Sequence, residues 1–155
     1  MIRLIIFLVS GMLLLASGAR AEELYLNCKF ENGTYMVGLR AKPIYKGDAG
    51  TTDINIILDT RKKKIIEAPY VDPERTNFSQ NKFGKEEHYS SSWSDNEVKW
   101  SYSSSVKSNK VQLSDYYTLN RRSGVLKSDF MMSENDNAPT SILTNYQCSK
   151  QDKKF

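Results

Sequence analysis

The chain has a single histidine, two cysteines and four prolines in 155 residues. One histidine, His88, leaves little room for metal or acid–base chemistry. Glu86 shares its strand parity, which gives two ligands where a catalytic zinc wants three. There is no H-E-x-x-H run, no G-x-S-x-G elbow and no phosphate-cradling glycine loop. A serine–histidine–aspartate set built from His88 and Asp95 has nothing in the sequence to support it, and His88 reads as a surface or structural residue. Eighteen acidic residues make carboxylate pairs easy to nominate, so no such pair singles itself out. The sequence therefore points away from an enzyme: no catalytic residue, no metal ligand set and no cofactor site is expected.

Long apolar runs are also lacking, with one exception. Leu4–Ala16 follows the basic Arg3 and precedes Ala19-Arg20-Ala21, small residues at the −3 and −1 positions of a cleavage site. Thirteen apolar residues fall short of the roughly 20 that span a bilayer. Residues 1–21 thus read as a signal peptide and 22–155 as a single β-barrel-like domain, periplasmic or secreted, with no membrane span after cleavage. An uncleaved N-terminal anchor is the alternative. Arg3 and Arg20 leave with the leader, so 22 basic residues fall to 20 against 18 acidic ones, a balance of +2. Charge this small and this dispersed gives no footprint for nucleic acid. The run Arg61-Lys62-Lys63-Lys64 reads as a solvated hairpin tip.

Cys28 and Cys148 lie near the two ends of the exported chain. In an oxidising compartment such a pair reads as a disulfide; two buried thiols are the alternative. Helical periodicity is missing, and alternation takes its place. Leu24, Leu26, Cys28 and Phe30 occupy every second position. Asn32-Gly33 then predicts a tight turn, with Tyr35, Val37 and Leu39 on the return strand. Ile54, Ile56 and Leu58 alternate up to a turn at Asp59–Lys63, and Lys64–Ala68 returns. Pro69–Glu86 reads as loop with one short strand near Thr76–Ser79. His88–Trp93 and Glu97–Ser103 form a hairpin, Tyr116–Arg121 and Val125–Met132 another. Ser133–Ser141 is a polar loop, and Leu143–Ser149 the last strand. The expectation is an all-β fold of about eight short antiparallel strands, a small meander barrel or sandwich, with first and last strands linked by the disulfide. Such a link would remove two open sheet edges.

Aromatic residues are plentiful. Trp100 and Tyr117 suit the core, while Trp93 and Tyr116 are candidates for a binding surface. Asn32-Gly33-Thr34 and Asn77-Phe78-Ser79 match a glycosylation pattern but read as turn and loop residues.

Several of these stretches together resemble a known group. They are Leu24-x-Leu26-x-Cys28, Ile54–Asp59, the Val98–Trp100 hairpin, Asn120-Arg121-Arg122-Ser123-Gly124-Val125-Leu126, and Tyr146-Gln147-Cys148 with a basic tail ending at Phe155. The combination resembles small exported proteins of unknown function from Gram-negative bacteria, which carry a similar (D/N)-R-x-(S/T)-G-x-L turn. The resemblance implies an envelope location and a small β fold, and brings no activity with it. A fainter likeness, to periplasmic lysozyme inhibitors, lacks their Ser-Gly-x-x-Tyr loop: Ser123-Gly124 is followed by Val125-Leu126-Lys127. The expected function is an exported non-catalytic binding module for an envelope or extracellular protein or glycan. The alternative is a hydrolase inhibitor acting through the Tyr70–Lys85 or Ser133–Ser141 loop.

Overall fold

The computed structural model describes residues 23–48, 51–71, 78–82, 84–106, 110–134 and 137–152. Residues 1–21, the expected signal peptide, lie outside them. Among the described residues there is no helix, and ten antiparallel strands form one sheet curled into a half-barrel. They are β1 (Glu23–Val37), β2 (Arg40–Ile44), β3 (Ile54–Asp59), β4 (Lys64–Glu67), β5 (Phe78–Lys82), β6 (Lys85–Trp93), β7 (Glu97–Val106), β8 (Val111–Asn120), β9 (Val125–Glu134) and β10 (Thr140–Gln151).

Strands β5 to β10 run as a meander, each beside the next. Strand β1 then pairs with β10, and β3 and β4 follow on its other side. The first and last strands are therefore neighbours in the middle of the sheet, while β4 and β5 end it. The two edges that the link is expected to remove, those of β1 and β10, are paired, and β4 and β5 carry the edges that stay open.

Cys28 and Cys148 are directly opposite in register, bonded, with Cα atoms 3.8 Å apart. The Cys148 N–H donates to Gly124 O at 2.8 Å, toward β9 and away from β1. In an antiparallel ladder this makes Cys28–Cys148 a non-hydrogen-bonded pair, the kind whose side chains approach most closely. Gly124, at φ +71°, lets the chain entering β9 lie against the Cys148 backbone, because a Cβ there would meet Cys148 O at 2.8 Å. The preceding turn is held by Asn120, whose Oδ1 accepts from the Arg122 and Ser123 N–H groups at 3.0 and 2.9 Å.

Three expectations need correction. Asn32-Gly33 is not a turn. Residues 23–37 form one continuous strand, and the chain reverses at Gly38-Leu39, with Gly38 at φ +57°. The pattern misleads because its parity does change at Glu31. Phe30 pairs with Tyr146 and Asn32 with Asn145, so Glu31 is the extra residue of a β-bulge. Inward positions switch there from even to odd numbers, a change that looks like a reversal in sequence. Gly33 serves close strand packing instead, since a Cβ there would lie 2.9 Å from Leu143 O. Second, Glu86 is strand rather than loop, since β6 begins at Lys85 and forms a hairpin with β5. Third, β8 begins at Val111 rather than Tyr116, β9 runs on to Glu134, and β10 begins at Thr140 rather than Leu143.

The inner face is built in rungs, each a line of cross-strand partners. The rung Trp93–Val98–Leu119–Leu126–Tyr146–Phe30 is apolar throughout. Val98, Leu119 and Leu126 on it are fully buried, with Leu58, Ile56 and Cys28 packed beside them. Two rungs further on the partners are Tyr89–Tyr102–Asp115–Phe130–Ile142–Tyr35–Lys42. The core thus fills one end of the half-barrel, and the inner face becomes polar toward the other.

Candidate functional site

At the transition between the two ends the inner face lines a half-open cavity of about 450 Å³. Tyr117, Phe130, Ile142 and Tyr146 form its walls from β8, β9 and β10, and Ile54 contributes from the approach of β3. Pro69 and Tyr70 close it from above. The placement of that cover follows from two contacts. Trp100 Nε1 donates to Pro69 O at 3.2 Å, and the Tyr70 ring stacks on Tyr102 with centroids 5.2 Å apart and planes 6° from parallel. Tyr70 sits at φ +60°, a left-handed conformation costly for an aromatic residue. The residue stays 55% exposed. Below it Trp100 stacks on Tyr117 at 4.9 Å.

The polar groups of the cavity are few. Asp115 contributes to its wall and is 5% exposed. The Tyr117 hydroxyl donates to its carboxylate and in turn accepts from Ser128. Burial pushes Asp115 up to about 6; the Tyr117 hydrogen bond opposes the rise and the charge of Asp129 adds to it. Burial also holds the Tyr117 hydroxyl far above its ordinary value, and raises Tyr70, with Asp115 contributing to both.

A second inward carboxylate shows the contrast. Glu87 on β6 takes Lys85 Nζ at 2.6 Å, the Tyr102 hydroxyl at 2.6 Å and Gln80 Nε2 at 2.5 Å. Those three donors, Lys85 first, hold it down to about 2. Glu87 is neutralised by its own strand and its neighbours. Asp115 has one hydroxyl and, among the described residues, no lysine or arginine ion-paired with it.

The two aromatic candidates from the sequence do not meet. Trp93 is half-buried on the inner face, packed against the core, with the Arg121 guanidinium 5.8 Å from its ring. Its Nε1 is buried without a hydrogen-bond partner. Tyr116 is 47% exposed on the outer face, between Ser101 and Asp129. The sheet separates them. His88 is exposed in the middle of β6, while Asp95 lies in the turn beyond the end of that strand. Of the Tyr70–Lys85 loop, Tyr70 becomes the cover of the cavity, and 72–77 and 83 lie outside the described residues, Asn77 among them. Of Ser133–Ser141, both ends belong to strands.

Asp115 is a site residue that the sequence does not single out. A signal is there: Tyr117 and Leu119 point inward, and strand parity carries Asp115 with them. Starting the strand at Tyr116 hides it. No family model, no curated protein and no solved structure matches this chain.

Proposed function

We propose that the protein is an exported, non-catalytic binding module of the bacterial envelope, periplasmic or secreted, and that its ligand enters the concave cavity beneath Tyr70. The observation that carries this is the cavity itself. It is mostly aromatic and aliphatic, with a few converging polar groups, the usual make-up of a small-ligand site. A strained residue at its mouth fits the same reading, since such strain collects at ligand clamps. The Cys28–Cys148 disulfide suggests a compartment outside the cytoplasm. The leader and the resemblance to small exported proteins of Gram-negative bacteria support an envelope location in particular. The moiety bound is flat and apolar, either a small molecule or an exposed part of a larger envelope or extracellular partner.

The test is a fragment screen followed by amide chemical-shift mapping. Perturbations centred on Tyr70, Ser128, Phe130 and Ile142 are expected. Perturbations confined to the outer face around Tyr116 would move the binding site there and refute the cavity.

A further inference from the structure

We propose that the cavity selects ligands that carry a protonated amine beside an aromatic or similarly flat apolar body. This rests on the binding reading above and gives it a chemistry. A buried carboxylate needs a counter-charge or several donors, and Asp115 has the Tyr117 hydroxyl as its side-chain donor. Glu87, on the same inner face, shows what a complete set of partners looks like in this fold. Asp115 differs in that its neighbours in the cavity include four aromatic rings. Tyr70, Tyr117, Tyr146 and Phe130 line the space beside it, and ring faces attract cations. An ammonium entering the cavity would meet the carboxylate and the rings together. An anion would meet the same groups and be repelled by the carboxylate.

The charged and titratable groups around Asp115 fit this direction. Tyr102 faces it from β7, Tyr70 from the cover and Tyr117 from its own strand; Asp129 on β9 adds negative charge through the sheet. Tyr35 and Lys42 end the same rung beyond Phe130 and Ile142, and Lys85 is engaged by Glu87. Burial of Asp115 also makes binding sensitive to pH near 6, because the carboxyl must be ionised to hold the amine.

The experiment uses the purified protein with its disulfide formed and three probes of one shape: 2-phenylethylamine, 2-phenylethanol and 3-phenylpropionate. Calorimetric titration at pH 7.5 should show the amine binding roughly tenfold more tightly than the alcohol, and the propionate weakest. At pH 5 the advantage of the amine should vanish while the affinity of the alcohol stays. Asp115→Asn should have the same effect at pH 7.5, and the pH arm reports independently of that variant's folding. An alcohol that binds as well as the amine at pH 7.5 would overturn the charge selection and leave the cavity reading standing. Failure of all three probes to bind would overturn both.

Discussion

The two ends of the half-barrel differ in what their strands carry inward. At one end β1, β8, β9 and β10 present Leu24, Leu26, Cys28, Leu119, Leu126 and Cys148, and the disulfide ties the first strand to the last in the middle of the sheet. Two rungs away the same strands present Asp115, Phe130 and Ile142 around an open cavity, with Tyr35 opposite Ile142 on the same rung. The ladders from β7 to β10 continue through both ends without a break, and the Glu31 bulge of β1 lies between them. Along β7 to β10 the difference lies in the side chains: one end is filled for stability, and the other leaves space and a charge that filling would have removed.

The largest effect should come from cutting the tie. Replacing both cysteines by serine frees a loop of 120 residues, and chain-entropy reasoning puts the loss at roughly 4–5 kcal/mol, read by guanidinium unfolding. A loss below about 1 kcal/mol would mean that β1 and β10 hold each other without the bond. Next comes a direct comparison on one strand. Leu126 and Phe130 share β9 and its inner face. Leu126→Ala empties a fully buried position and should cost about 2–5 kcal/mol. Phe130→Ala enlarges a space that already exists and should cost less, despite the larger side chain removed. The reverse order would erase the distinction between the ends.

Asp115→Asn should do something unusual for a buried site and stabilise the protein. Its native pKa of about 6 lies above the ordinary 3.8. The protonated native form is therefore favoured, and that stabilisation is present below pH 3.8 and lost as pH rises through about 6. At pH 7.5 the variant should gain on the order of 1–2 kcal/mol, and its stability should no longer fall between pH 4 and 6. Glu87 acts in the opposite sense. Its pKa is held to about 2, so its contribution is present above 4.5 and fades as pH drops toward 2. The smallest effect belongs to the outer face. Tyr116→Ala should change stability by no more than about 0.5 kcal/mol and leave cavity binding intact.

The closed end was legible in the sequence. Alternation put Leu24, Leu26, Cys28 and Phe30 on one face, the face that packs into the core, and the β3–β4 hairpin falls where Ile54–Leu58 and Asp59–Lys63 predict it. The open end was less so, for two physical reasons. A bulge and a reversal leave the same trace in a parity pattern, so Glu31 hid the true length of β1 behind an Asn-Gly pair. The pairing of β1 with the twelve-residue β10 outweighs that local turn preference. And the residue that gives the cavity its charge follows an alternation, Val111-Gln112-Leu113-Ser114, too short to stand as a strand by itself. It becomes part of β8 because β7 and β9 flank it, which is tertiary context.

The central claim is that the open end holds a buried carboxylate whose charge its own fold leaves without a cationic partner among the described residues. Carboxyl carbon NMR of Asp115 across pH 3 to 8 tests it most directly. A midpoint near 6 in the free protein, falling by a unit or more when 2-phenylethylamine is bound, is the expected result. A midpoint near 4 that no amine moves would show a carboxylate already satisfied, and would contradict the account.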